Sequence, residues 1–124
     1  MLIGVPKETG AGETRVAATP ETLKKLIGQG HQVVVQQGAG ERASVPDAAY
    51  AAIGAQLGDA AAALGADLVL KVAAPDAAEL ALMKPGAVLI GMLNPFDTEN
   101  TAAMAAAGLS AFALEAVPRI TRAQ

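Results

Sequence analysis

Short, continuous apolar runs alternate with amphipathic segments along the whole chain of 124 residues. Continuous runs, as opposed to strictly alternating ones, are typical of parallel strands that are buried on both faces. Five runs are predicted to be strands, at residues 2–5, 31–36, 67–72, 87–93 and 110–115. Residues 56–57 are a candidate for a brief edge strand. The pattern therefore predicts a parallel sheet of about five strands.

The amphipathic segments between these runs predict helices. Thr19, Pro20 and Glu21 give the first helix an N-cap, a proline in its first turn and an acid near its positive end. Further helices are predicted at residues 47–53, 59–64, 75–83 and 97–107. Because strands that alternate with helices build right-handed βαβ units, we expect an α/β fold. The expected architecture is a three-layer, doubly wound parallel sheet, either flavodoxin-like or Rossmann-like, in a single domain of residues 1–124.

The composition and charge of the chain exclude several classes of function. Only three residues are aromatic, so the core must be built from alanine and aliphatic side chains. The net charge is -3 and there is no basic run, so nucleic-acid binding is not expected. The absence of cysteine excludes disulfides, thiolate zinc sites and cysteine nucleophiles, and no metal-ligand spacing occurs. With no signal peptide and no apolar stretch of about 20 residues, we expect a cytoplasmic domain.

Polar residues follow the predicted strands at their carboxyl ends, where open parallel sheets bind ligands. The first strand is followed by Lys7, Glu8, Glu13 and Arg15. Lys71 lies at the end of the third long strand, and Asn94 at the end of the fourth. The last strand ends at Glu115 and leads to Arg119 and Arg122. The three carboxylates among them are candidate acid–base groups, although we expect them to be solvated. Together these side chains predict a polar, largely cationic edge.

Lys71 is the most informative of these residues because it interrupts an apolar strand. Burial of its ammonium group costs free energy unless the group is paired or reaches solvent. With Arg15 it forms a candidate carboxylate clamp. The alternative is that its side chain extends from the strand end to solvent. His31 lies at the opposite edge of the sheet, and the glycines at 38 and 40 indicate a turn rather than a phosphate loop. Residue types alone do not identify a reaction.

Several segments, taken in order, point to a family. They are residues 3–8 (IGVPKE), 13–17 (ETRVA), 19–21 (TPE), 30–31 (GH), 38–40 (GAG), 66–67 (AD) and 70–72 (LKV). This order resembles the N-terminal domain shared by alanine dehydrogenase and the transhydrogenase alpha subunit, over the whole chain. The resemblance implies part of the NAD(H)-binding subunit of a proton-translocating NAD(P) transhydrogenase, which transfers hydride directly between NADH and NADP⁺.

The resemblance also implies residue roles. Arg119 would contact the nicotinamide carboxamide region and Gln124 the dihydronicotinamide ribose, as the candidate catalytic pair, with Arg122 beside them at the cofactor. Arg15 and Lys71 match the pyruvate-binding arginine and lysine of alanine dehydrogenase and form, with Asn94, an anion-binding pocket. Asn94 stands where that enzyme has its catalytic histidine. Because reductive amination needs a proton donor and direct hydride transfer does not, this residue favours the transhydrogenase.

The resemblance further implies that the chain is truncated before the main NAD-binding Rossmann domain, so NAD(H) would lie between the two domains. NADP(H) would be held by a partner subunit. The complete subunit would be a homodimer that is peripheral to the inner membrane through its membrane partner, and the isolated chain would be inactive. Two alternatives stay open: the substrate domain of an NAD-dependent alanine dehydrogenase, and an isolated, non-catalytic flavodoxin-like module.

Overall fold

The computed structural model describes residues 1–8, 15–92 and 98–113, and these residues form six β-strands and five α-helices. The strands are β1 (Leu2–Val5), β2 (Gln32–Gln36), β3 (Gln56–Gly58), β4 (Leu68–Ala73), β5 (Val88–Met92) and β6 (Ser110–Ala113). The helices are α1 (Pro20–Gly28), α2 (Asp47–Ala52), α3 (Ala60–Leu64), α4 (Ala77–Leu82) and α5 (Thr98–Ala106). A 3₁₀ turn at Glu41–Ala43, which the sequence pattern does not predict, precedes α2.

All neighbouring strands pair in parallel, in the order β3-β2-β1-β4-β5-β6. This is the order of Rossmann-like sheets rather than the order of flavodoxin-like sheets. The predicted α/β fold with a doubly wound parallel sheet is therefore confirmed. Of the two predicted alternatives, the strand order selects the Rossmann-like one over the flavodoxin-like one. The sheet has six strands rather than about five because the candidate edge strand forms as β3.

Side-chain caps begin three of the helices. The Thr19 hydroxyl accepts from the Thr22 amide at the start of α1, and the Asp59 carboxylate accepts from Ala62 N at 2.8 Å at the start of α3. Asp76 caps α4 in the same way. Because each cap satisfies an amide that the helix itself leaves without a partner, these residues fix where the helices start. The predicted Asp97 cap of α5 lies outside the described residues.

Helices cover both faces of the sheet and bury two separate cores. The first core lies under α1 and α2 and includes Leu23 and Tyr50, both fully buried. The second lies under α3, α4 and α5 and includes Leu64. Val69 and Leu70 are neighbours in β4 but pack into different cores, because successive strand side chains point to opposite faces. The predicted three-layer arrangement is therefore present.

Two apolar side chains on β5 and β6 lie outside both cores. Ile90 of β5 lies beside Phe112 of β6. Leu89 is fully buried in the second core, whereas Ile90 is partly buried and Phe112 is 58% exposed. Neither Ile90 nor Phe112 belongs to either core of the described part of the chain. We call this surface the β5–β6 face.

Gly4 sets the distance between β1 and α3. A Cβ atom at this position would lie 1.8 Å from the carbonyl oxygen of Ala63 in α3 and 2.9 Å from the Ala66 side chain. Backbone atoms cannot rotate out of the way as a flexible side chain can. Glycine is therefore required here for the close packing of α3 on the sheet.

We expect Gly4→Ala to lower the free energy of unfolding by about 3 kcal/mol, because β1 and α3 must move apart. Urea denaturation of the purified variant measures the effect. Gly28→Ala is the matched control, since a Cβ there meets nothing within 4 Å and alanine favours the helix. If the two variants have equal stability, the close approach at Gly4 is not a constraint.

Tyr50 connects α2 to the segment that precedes α1. Its ring is fully buried, and its hydroxyl donates to the carbonyl oxygen of Ala18 at 2.9 Å. Burial raises the pKa of the Tyr50 hydroxyl above its usual value, and the negative charge of Asp47 raises it further. The neutral hydroxyl therefore fixes the last residue before the Thr19 cap.

We expect Tyr50→Phe to reduce the free energy of unfolding at neutral pH by about 1–2 kcal/mol, since the buried Ala18 carbonyl loses its donor. The raised pKa gives a second readout. Above about pH 10 the unfolded chain releases the tyrosine proton while the folded chain retains it, so wild-type stability falls as the pH rises. Unfolding curves between about pH 9 and 11 should show a smaller loss in Tyr50→Phe than in the wild type; equal losses would contradict the assignment.

Candidate functional site

The candidate site lies where the strand order reverses, at the carboxyl ends of β1 and β4. In open parallel sheets the connections from two such strands leave toward opposite faces, which opens a crevice between them. β1 and β4 are neighbours in this sheet although α1, α2 and α3 separate them in sequence. The residues at this crevice are Lys7 and Glu8 after β1, and Lys71 near the end of β4.

A buried ion-pair triad lies in the crevice. The Lys71 ammonium nitrogen is 3.2 Å from Oε1 of Glu8 and 2.9 Å from Oε2 of Glu79. The three side chains are 1%, 3% and 9% exposed for Lys71, Glu8 and Glu79. Two carboxylates on one ammonium satisfy two of its three donors and make its burial tolerable. We refer to these three residues as the triad.

Backbone amides also hold Glu8. Its Oε2 accepts from the Val72 amide at 2.9 Å, and its Oε1 accepts from the Ala73 amide at 3.2 Å. One carboxylate therefore receives three N–H donors from the end of β4, counting the Lys71 ammonium. Hydrogen bonds to an ionised acceptor are stronger than neutral ones, so Glu8 fastens the segment after β1 to β4.

Helix α4, which follows β4, positions Glu79, the third residue of the triad. Glu79 belongs to a capping box: its amide donates to Oδ1 of Asp76 at 2.8 Å, and its Oε1 accepts from the Asp76 amide at 3.0 Å. The other oxygen, Oε2, is then directed at Lys71. Glu79 is not among the site residues predicted from the sequence. The signals that could have found it are the Asp-x-x-Glu spacing after β4 and the need of a buried lysine for an acid.

A small cleft opens beside the triad. The Lys7 amide donates to Oε1 of Gln36 at 2.7 Å, which ties the end of β1 to the end of β2. The cleft has a volume of about 200 Å³, and Lys7, Gln36, Glu79, Leu64 and Leu82 contribute to its lining. Pockets that enclose a drug-sized ligand measure about 300–1,000 Å³. This cleft therefore fits a fragment of a ligand rather than a whole dinucleotide.

The structure tests some of the predicted site residues. Lys71 does not extend to solvent, and its burial with two carboxylates makes that alternative wrong. Glu8 as a whole residue is 6% exposed, so the expectation that it is solvated is also wrong, because β4 supplies the donors that replace water. Arg15 is exposed and follows the residues that the structure does not describe. The pocket of Arg15, Lys71 and Asn94 stays a prediction.

Several candidate residues lie outside the described residues. They are Asn94 in the anion-binding pocket, the cofactor residues Arg119, Arg122 and Gln124, and the carboxylates Glu13 and Glu115. Their roles therefore rest on the sequence alone. His31 is described: its amide donates to the Leu26 carbonyl at the end of α1, at the edge of the sheet opposite the triad.

The glycine turn after β2 contributes no phosphate loop. Gly38 has a φ of +80°, and its amide donates to Oδ1 of Asp47 at 2.9 Å. An amide that is already paired with a carboxylate of the chain is not available to a phosphate. The predicted turn is therefore confirmed.

Neither a metal-binding cluster nor a membrane-spanning helix is found among the described residues. No group of three or more histidine, aspartate or glutamate side chains in residues 1–8, 15–92 and 98–113 is arranged to hold a metal ion. None of the helices found there is both long enough and apolar enough to cross a membrane.

We expect Lys71→Met to lower the free energy of unfolding by about 3–5 kcal/mol, because two buried carboxylates lose their cation. Chemical denaturation measures this loss. Lys84→Met is the matched control: Lys84 pairs with Asp67, but the side chains are 50% and 42% exposed, so solvent screens the pair. A Lys71 variant as stable as the Lys84 variant would show that the triad contributes no net stability.

The chain is similar to known proteins over nearly its whole length. Residues 4–124 match the family model described as "Alanine dehydrogenase/PNT, N-terminal domain". The chain is 46% identical over 132 residues to an alpha-subunit polypeptide of the NAD(P) transhydrogenase of Rhodospirillum rubrum, covering all of this chain and 34% of that protein. It is 43% identical over 96 residues to alanine dehydrogenase of Mycobacterium tuberculosis, covering 76% of this chain and 26% of that enzyme.

A solved structure agrees with these similarities. The crystal structure of transhydrogenase from Sinorhizobium meliloti superposes with a TM-score of 0.94 at 44% identity, covering 98% of this chain and 36% of that chain. The chain spans only about a quarter to a third of the length of the curated relatives it matches. Because the family model covers nearly the whole sequence, the chain belongs to the alanine dehydrogenase/PNT N-terminal domain family.

Proposed function

We propose that this chain supplies the N-terminal domain of the NAD(H)-binding subunit of a proton-translocating NAD(P) transhydrogenase. In that enzyme, hydride passes directly between NADH and NADP⁺, and the transfer is coupled to proton translocation. The observation that carries the proposal is the similarity to a transhydrogenase alpha subunit over the full length of this chain, at 46% identity. The whole activity belongs to the complete enzyme, to which this domain contributes.

Asn94 favours the transhydrogenase over alanine dehydrogenase. Reductive amination of a 2-oxoacid needs a group that donates a proton. Asparagine at position 94 has no titratable proton. Direct hydride transfer needs no such group, since it requires two nicotinamide rings held close together.

NAD(H) is proposed to lie between this domain and a downstream NAD-binding domain. The cleft of about 200 Å³ beside the triad supports this, because it is too small for a dinucleotide. In this proposal Arg119 contacts the nicotinamide region, Gln124 holds its ribose and Arg122 assists. NADP(H) is held by a partner subunit. The complete subunit is a homodimer, cytoplasmic and attached to the inner membrane through its membrane partner.

The β5–β6 face is proposed to contact the remainder of the subunit. A Phe112 side chain that is 58% exposed on an edge strand is unfavourable in water, and apolar surfaces of this kind mark interaction sites. A domain packed on this face would bury the Phe112 side chain.

A chimera tests the function. Residues 1–124 replace the matching segment of the Rhodospirillum rubrum alpha-subunit polypeptide, and the protein is assembled with the other transhydrogenase subunits of that organism. We expect NADPH formation from NADH and NADP⁺ within about tenfold of the parent rate. In the same chimera Arg119→Ala should slow the transfer by roughly 100-fold through misplacement of the nicotinamide. Arg42→Ala, on the exposed 3₁₀ turn, is the matched control and should leave the rate unchanged.

A second chimera tests the alternative enzyme. Here residues 1–124 replace the matching segment of the Mycobacterium tuberculosis alanine dehydrogenase, and NADH oxidation is followed with pyruvate and ammonium. We expect no turnover, because Asn94 cannot donate a proton, and we expect Asn94→His to restore it. Turnover by the unsubstituted chimera would contradict the transhydrogenase proposal.

A further inference from the structure

The backbone of Lys7 is held in place at the carboxyl end of β1. Pro6, directly before it, is fully buried. The Lys7 amide itself donates to Oε1 of Gln36 at 2.7 Å. Glu8, directly after it, accepts from two amides at the end of β4. Because burial or a hydrogen bond fixes each of these residues, the Lys7 side chain starts from a fixed point beside the cleft that it helps to line.

The charge of Lys7 is not neutralised within the part of the chain that the structure describes. Lys71, the other lysine at the crossover, has two carboxylates, whereas residues 1–8, 15–92 and 98–113 supply no ion pair to Lys7. Glu41 is a neighbour but not a partner. Its Oε1 is 3.2 Å, and the Lys7 ammonium nitrogen 3.7 Å, from the position that a Cβ atom on Gly38 would occupy. The Lys7 ammonium therefore keeps its charge for a ligand.

Position and burial distinguish Lys7 from the other lysines. Lys24 and Lys25 on α1 are exposed, and Lys84 pairs with Asp67. Lys7 is partly buried and lies at the carboxyl ends of the strands, where open α/β sheets bind ligands. A partly buried ammonium attracts an anion more strongly than a fully solvated one, because less water screens the charge. The geometry therefore favours an anionic ligand group at this position.

The chemistry of NAD(H) indicates which group this is. The negative charge of this dinucleotide is carried by its pyrophosphate, whereas its riboses and its adenine are neutral. The cleft beside Lys7, of about 200 Å³, admits only a fragment of a dinucleotide, so the rest of the cofactor has to lie across the crevice. A lysine suits phosphate oxygens, since its compact charge does not require the two-pronged geometry of an arginine contact.

We propose that Lys7 binds the pyrophosphate of NAD(H) from the side of the N-terminal domain. This inference rests on the proposed function, in which NAD(H) lies between this domain and a downstream domain. It adds a residue to the cofactor site, separate from the residues proposed for the nicotinamide and its ribose and from Lys71, whose charge the triad neutralises. Lys7 takes part in binding and not in hydride transfer.

Affinities for two reduced nicotinamides test this role in the transhydrogenase chimera. NADH carries the pyrophosphate, whereas reduced nicotinamide riboside has no phosphate. We expect Lys7→Met to weaken NADH binding about tenfold in a fluorescence titration, because one charge-assisted contact is lost. Riboside binding should not change, and Lys7→Arg should keep most of the NADH affinity. Unchanged NADH affinity in Lys7→Met, or an equal loss for the riboside, would overturn the proposal.

A matched control and the parent chimera separate the two proposals. Lys24→Met removes an exposed lysine on α1 and should leave NADH affinity within about twofold, because solvent screens that charge. A loss as large as that of Lys7→Met would mean that net charge alone matters, and the role of Lys7 would be wrong. A parent chimera without hydride transfer contradicts the proposed function, and this inference with it. Normal transfer combined with equal NADH binding in Lys7→Met contradicts the role of Lys7 alone.

Glu41 gives a reading that does not depend on whether the Lys7 variants fold. Glu41→Gln removes a negative charge beside Lys7 on the exposed 3₁₀ turn. NADH should then bind about two- to threefold more tightly, since the phosphate no longer meets that charge. Glu21→Gln, on the exposed first turn of α1, is the matched control and should have no effect. Equal NADH affinities in these two variants would contradict a cofactor phosphate at Lys7.

Discussion

The buried cation of Lys71 determines how the segments at the crossover between β1 and β4 are held together. A charged lysine side chain that is 1% exposed is stable only where other groups replace the water around its ammonium. Glu8 and Glu79 do so, and they come from the two segments that leave the sheet on either side of the crossover. The charge requirement therefore ties the segment after β1 and helix α4 to the same strand. Apart from Tyr50, the described cores are built mainly from alanine, aliphatic and methionine side chains, whose contacts are not directional, whereas the Lys71 contact is specific in partner and direction.

The same contact decides what the crossover can do. A carboxylate of the chain lies where a Rossmann-like sheet commonly takes a ligand. Tyr50 and the Thr19 cap fix the residues just before α1, and β4 fixes Glu8. Groups that are already fixed lose little entropy when a neighbour binds beside them.

The sequence predicts the layers well and the contacts poorly. Continuous apolar runs reveal buried parallel strands, and capping residues such as Thr19 locate helix starts, because both signals are local. Strand order is not local: β1 pairs with β4 although three helices and two strands lie between them in sequence, and nothing in either run specifies the partner. The strand pattern marks Lys71 as unusual, but the two acids that pair with it lie 63 residues before it and 8 residues after it in the sequence. The cofactor residues proposed near the C-terminus are Arg119, Arg122 and Gln124. They rest on sequence reasoning alone, because they lie outside the described residues.

Two enzymes with different reactions, a transhydrogenase and an alanine dehydrogenase, contain relatives of this domain. A hydride donor and an amination site differ in the proton and anion groups that surround the nicotinamide, not in the sheet that supports them. In the described part of the chain the ion-pair partners of Lys71 are Glu8 and Glu79, which β4 and the helix cap of α4 hold in place. The parallel sheet and its crossover are therefore what a transhydrogenase and an alanine dehydrogenase can share, while the groups around the nicotinamide differ.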